Sequence, residues 1–261
     1  MTDTVAACCA NLYELPIART LLGASFHPGG PTLTRELARM TIASHESLVL
    51  DLASGIGTTA QTLTSEIGAT VVGIEYSKRN AAFATDATER VSCTFMTGDV
   101  HDLPLLSNTF DVVLCECALC TFRDQPHALE EAMRVLKPGG RIGISDMTLE
   151  ATVPRELDSV MSHVLCIAGA HSVDGYVSLL DGAGFTNIRH HDRRQALVEM
   201  VDQIDRNLVL AERLADAGDI DLPSGLDDPR PTLAAARQFV ERGGLTYSLF
   251  AARKPRIDPT G

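Results

Sequence analysis

The chain is short of positive charge. Its 261 residues hold 22 Lys and Arg against 34 Asp and Glu, a formal net charge of −12 at pH 7. A field of that sign repels phosphate backbones and anionic membrane surfaces, so no nucleic-acid partner is expected. Long apolar runs are also missing: none reaches the ~18–20 residues that span a bilayer, and no membrane partner is expected. The opening Met1-Thr2-Asp3-Thr4 lacks a basic region followed by a long apolar stretch, which argues against a secretory leader. There is no internal repeat and no low-complexity tract. Apolar residues nevertheless make up 45% of the chain, which excludes disorder as its overall state. The expectation is a cytoplasmic monomer or homodimer that handles a small molecule.

What is present is ordered. Between 48 and 147 short apolar runs alternate with helical patterns, the signature of parallel strands joined by crossover helices. Strands are predicted at Leu48–Leu52, Thr70–Glu75, Ser92–Met96, Phe110–Cys115 and Arg141–Met147, with helices over 58–67, 77–89 and 126–136. The last of these helices is read as ending in the turn Lys137-Pro138-Gly139-Gly140. Beyond lie helices over 154–168 and 172–183, a strand at Thr186–His191, an amphipathic helix over 196–214 and a helix over 232–241. Leu245–Ala252 closes the series as a strand. Upstream, helices are read from Asn11 to Leu22 and from Thr32 to Met40. The fold class is therefore α/β: a Rossmann-like, doubly wound, mostly parallel seven-stranded sheet with an N-terminal arm and a C-terminal helical insertion. The divisions are 1–44 as arm or lid, 45–194 as core, and 195–261 as C-terminal helices with the closing strand.

Asp51-Leu52-Ala53-Ser54-Gly55-Ile56-Gly57 lies between a strand and a helix, where glycines let a ligand approach the backbone. The stretch Gly55–Ala60 also fits the dinucleotide pattern G-x-G-x-x-A. Asp51 argues against a dinucleotide, because a carboxylate at the strand end would face a pyrophosphate of like charge. It suits a cation such as an amino-acid ammonium, while Glu75 suits a ribose diol. One ligand with both ends is S-adenosylmethionine.

Here the chain resembles class I S-adenosylmethionine-dependent methyltransferases. Val49 to Gly57 is similar to their first motif, Gly73-Ile74-Glu75-Tyr76-Ser77 to the ribose motif, and Gly98-Asp99-Val100-His101-Asp102-Leu103-Pro104 to the adenine segment. Phe110-Asp111-Val112-Val113 and Leu136-Lys137-Pro138-Gly139-Gly140-Arg141 resemble the fourth strand and the turn into the fifth. The resemblance implies a methyl donor, S-adenosylmethionine, held by Asp51, Ser54, Gly55, Gly57, Glu75, Tyr76, Asp99, Val100 and Glu116.

Seven cysteines, an odd number without a leader, read as reduced thiols. Val164-Leu165-Cys166-Ile167-Ala168-Gly169-Ala170-His171-Ser172, followed by Ala183-Gly184-Phe185, resembles a segment of arsenite methyltransferases. Cys117 and the Cys8-Cys9 pair fall where that family carries its other substrate thiolates. The resemblance implies that Cys117, Cys166 and Cys8 or Cys9 hold trivalent arsenic, a soft centre that takes about three thiolates. Cys115-Glu116-Cys117-Ala118-Leu119-Cys120 offers three ligands of a zinc site without a fourth, so no resident metal is expected. The alternatives are a methyltransferase for a small thiol, amine or hydroxyl, with His27, His101, His163 or His171 as base, and a non-catalytic metalloid or S-adenosylmethionine sensor.

Overall fold

The computed structural model describes residues 27–88, 92–157, 167, 169–216 and 230–256. Seven strands form one sheet: β1 (Leu48–Leu52), β2 (Thr70–Glu75), β3 (Cys93–Thr97), β4 (Phe110–Glu116), β5 (Leu136–Leu149), β6 (Thr186–Asp192) and β7 (Leu245–Arg253). Their order is β3-β2-β1-β4-β5-β7-β6. The first five run parallel, and β7 runs antiparallel between β5 and β6. The seven strands and their mostly parallel sense are as the sequence predicts. The C-terminal strand is an integral part of the sheet.

Among the described residues seven helices flank it: α1 (Gly30–Met40), α2 (Thr58–Thr62, continued by a π-helical turn Leu63–Ile67), α3 (Lys78–Ala87), α4 (Gln125–Val135), α5 (Val173–Gly182), α6 (Arg194–Asp216) and α7 (Arg230–Glu241). Alternation along the central strands sorts the core into two layers. Val49, Val112, Leu114, Tyr247 and Leu249 meet Leu33 and Leu37 of α1, Leu63, and Val240 of α7. Leu50, Leu52, Val113, Ile144 and Phe250 meet Leu129 and Ala132 of α4 and Tyr176 and Leu180 of α5. Among the described residues no helix is long and apolar enough to cross a membrane.

Two local readings change. Lys137 to Gly140 lies within β5 as an irregularity: Leu136 pairs with Phe110, Gly139 turns at φ 83°, and pairing resumes at Arg141 opposite Val112. Pro138 removes a ladder donor there, so the strand cannot stay regular. Of the helix read over 154–168, a single 3₁₀ turn at Arg155–Leu157 is described. The helix read at Asn11–Leu22 falls outside the described residues.

Candidate active site at the carboxyl ends of β1, β2 and β4

The loop after β1 is built on left-handed backbone. Ala53, Gly55 and Gly57 have φ of 54°, 54° and 84°. A side chain on Gly57 would collide with the Phe95 ring at 2.8 Å, so packing as well as conformation requires glycine there. Above Gly55 nothing lies within 4 Å, and the loop opens to a ligand. The end of β2 locks this loop: Glu75 accepts from the Gly55 N–H at 2.9 Å and from the Ser77 N–H at 2.8 Å. It is buried, whereas Tyr76 beside it is exposed.

Asp51 lies on the α1 face of β1, 2% exposed, with Oδ2 lacking any hydrogen-bond partner. Burial pushes its carboxyl well above the usual carboxylate range, and the charges of Glu116 and Glu75 push it further. Ser54 Oγ is a second buried, unpartnered polar atom. Two such atoms beside an open glycine loop are what a cationic, hydrogen-bonding ligand would satisfy. A donor with an ammonium, a sulfonium and a ribose fits that set.

Glu116 ends β4 on the same face. One oxygen accepts from Thr34 Oγ1 of α1 at 2.9 Å and Thr59 Oγ1 of α2 at 2.7 Å, and the other from Ser145 Oγ at 3.3 Å. Tyr247 donates to Ser145 Oγ in turn, at 2.8 Å. The sequence assigns Glu116 to the donor; in the structure hydroxyls from α1, α2 and β5 also brace its carboxylate at the end of β4. His27, read as a candidate base, is buried with Nε2 unpartnered and 3.9 Å from Glu116 Oε2.

Asp99 follows β3, and Val100 beside it is buried. Burial alone would raise the Asp99 carboxyl, but hydrogen bonds from the His101 backbone and ring and the Arg123 charge hold it low. His101 Nδ1 sits 2.5 Å from Oδ1 and Arg123 Nη2 2.9 Å from Oδ2. His101 is thereby tied to Asp99 rather than poised as a base. His171 contacts Gln125 Oε1 at 2.6 Å, and burial depresses its ring.

Cys117 is the residue after β4. Its φ is 53°, a conformation that β-substituted residues rarely adopt. Simple alternation would send it to the face of Cys115; instead it packs against the core on the Asp51 and Glu116 side. Cys93, Cys115, Cys117 and Cys120 carry thiols. Burial pushes the Cys115 thiol well up, with Asp146 and Asp51 adding to it, which makes it inert. Cys8, Cys9, Cys166 and His163 lie outside the described residues. Among the described residues no three His, Cys, Asp or Glu side chains form a metal-binding group.

The methyltransferase-domain family matches residues 50–144. The arsenite methyltransferase of Halobacterium salinarum is 30% identical over 180 residues, 65% of this chain and 44% of that protein. Methyltransferase GfsG of Streptomyces halstedii is 27% identical over 236 residues, 87% of this chain and 81% of that one. Among solved structures, Haemonchus contortus phosphoethanolamine N-methyltransferase 2, complexed with phosphomonomethylethanolamine and S-adenosylhomocysteine, superposes with a TM-score of 0.78. It is 19% identical, and the superposition covers 97% of this chain and 58% of that one. Residues 50–144 thus match the methyltransferase-domain family, and the chain has the fold of the S-adenosylmethionine-dependent methyltransferases.

Proposed function

We propose that the protein methylates a small acceptor bound through thiolate, with trivalent arsenic as that acceptor, using S-adenosylmethionine as donor. The observation that carries the acceptor is Cys117: a thiol in strained backbone, turned onto the face of Asp51 at the carboxyl end of β4. Residues held in such backbone cluster at functional sites, and open α/β sheets bind their ligands at strand carboxyl ends. Cys166 and one of Cys8 and Cys9 would complete a thiolate pyramid.

Bound, the donor supplies an electrophilic methyl group on a sulfonium. The chain's part is to hold and orient: Asp51 faces the cation, Glu75 the ribose diol, Asp99 and Val100 the adenine, with Ser54, Gly55, Gly57 and Tyr76 around them. His27 Nε2, beside Glu116, adds a polar atom at the same edge. Arsenic(III) held by thiolates keeps a lone pair that needs no proton removed, so no base is required. This agrees with His101 and His171 being committed to Asp99 and Gln125. Catalysis is then mainly orientation of two bound reactants, worth up to ~7–11 kcal/mol in favourable cases. Residues 1–30 would close over both ligands and exclude water.

The test pairs Cys117→Ser with Cys117→Gly in assays with labelled donor and with arsenite, small thiols, amines and hydroxyl compounds. Both variants should lose arsenite methylation and keep donor binding. Cys117→Gly should also be more stable than Cys117→Ser by about 1 kcal/mol, because glycine adopts the left-handed backbone without strain. Full arsenite activity in either variant removes the thiolate reading. Wild-type activity on an amine or hydroxyl compound and none on arsenite replaces it with the general small-molecule reading.

A further inference from the structure

The amino-terminal edge of the sheet, remote from the glycine loop, gathers the charge that the chain otherwise lacks. The antiparallel register sets Arg141 of β5 directly across from Arg253 of β7, and Arg189 of β6 across from Ala251. Because strand side chains alternate, Arg141 shares a face with Gly143, and Arg253 with Ala251. Gly143 lies under Leu37 and Thr41 at the end of α1, so this is the α1 face. Arg189 reaches the same place and donates to the Met40 carbonyl. Arg256 joins them: its Cγ and Nε stand 3.2 and 3.3 Å from the position a Cβ on Gly139 would take, and Arg253 Nη2 stands 3.2 Å from it.

Four guanidinium groups thus converge over the Gly139 turn and the end of α1. Their described hydrogen bonds go to carbonyls, from Arg189 to Met40 and from Arg253 Nε to Gly139 at 3.2 Å. Among the described residues none of the four has a carboxylate within ion-pair distance, in a chain with 34 acidic residues. Burial lowers the Arg141 pKa, and the charges of Arg253, Arg189 and Arg256 lower it further. Like charges assembled without counter-charge destabilise the protein, and a bound anion would relieve that strain.

We propose that Arg141, Arg189, Arg253 and Arg256 form a binding site for the oligophosphate group of a small ligand. Guanidinium forks match phosphate oxygens bidentately. Three adjacent strands spread the cations over roughly 10 Å, a span that suits two or three linked phosphates better than one. A short anion feels this patch, because charges beyond ~8–10 Å are screened at physiological salt. An extended nucleic acid would meet the remaining −12 surface. The proposal stands apart from the methyl-transfer reading and involves none of its residues.

Titration calorimetry of the full chain with inorganic triphosphate tests it. Saturable binding is expected, stronger than for orthophosphate and weakening with added salt. Arg189→Gln and Arg256→Gln alter exposed side chains, so the doubly substituted protein should fold normally and bind triphosphate at least ~100-fold more weakly, about tenfold per guanidinium. S-adenosylmethionine should not displace triphosphate. Absence of saturation, equal affinity in the double variant, or displacement by S-adenosylmethionine overturns the site. Retention of DNA or of phosphatidylserine vesicles without triphosphate binding overturns it in favour of a macromolecular surface.

Discussion

At Glu75 two backbone donors, the N–H groups of Gly55 and Ser77, already hold the carboxylate that the donor's ribose would share. Its removal therefore acts twice. Glu75→Ala is expected to weaken donor binding by about 2–4 kcal/mol, from the loss of charge-assisted hydrogen bonds. It should also lower the melting temperature of the ligand-free protein, since the Gly55 N–H loses its acceptor. Calorimetry with S-adenosylmethionine and a thermal melt without it check both halves; an unchanged melt would show that Glu75 does not anchor the loop. Asp51, Gly55, Gly57 and Glu75 were legible in the sequence because one strand, one turn and the next strand bring them together. The brace on Glu116 was not. Thr34, Thr59 and Ser145 reach it across 82, 57 and 29 residues, and a hydroxyl carries no sequence signal until the fold chooses its partner. His27 was visible as a histidine, but its unpartnered Nε2 beside Glu116 required the fold.

Among the elements, α1 links the N-terminal segment to the site. It starts at Gly30, beyond the left-handed Gly29, and places Pro31 in its first turn, where a missing N–H does no harm. Leu33, Leu37 and Met40 bury against the sheet while Thr34 reaches Glu116. Thr34→Val keeps the shape and removes one hydrogen bond to a buried carboxylate, a loss of about 1.5–3 kcal/mol. Amide hydrogen exchange across α1 should quicken, and the donor's KM should rise more than kcat falls. If α1 exchanges at the wild-type rate, Glu116 does not tether the helix. Element existence was legible from periodicity, and six of the seven strands are within one residue of their predicted start. The exception, β5, begins five residues early because Leu136 pairs with Phe110 before the Lys137–Gly140 irregularity. A turn signal and a bulge share the residues Pro and Gly, so composition alone could not separate them.

At the scale of the whole molecule the excess of acid is turned inward at one point. Three carboxylates, Asp51, Glu75 and Glu116, are buried on the α1 face of the sheet; burial raises the energy of ionising Asp51, and the charges of Glu116 and Glu75 raise it further. A carboxyl whose folded pKa lies above its unfolded value contributes stability that is fully present below the unfolded value. That contribution is lost as pH rises through the folded one. The free protein should thus be destabilised at Asp51 as pH increases, and a bound cation should reverse the trend by favouring the carboxylate. Donor binding is therefore expected to expel a proton, and its affinity to climb with pH until Asp51 ionises in the free protein, then to level off. Calorimetry in two buffers of different ionisation heat, scanned over roughly pH 5–8, reads the proton release directly. Asp51→Asn keeps the shape, removes the titrating group and should bind the donor weakly with a flat pH profile. A wild-type profile as flat as that of the variant would mean that Asp51 keeps its proton in both states. The unpartnered Oδ2 would then not be the seat of the donor's positive charge.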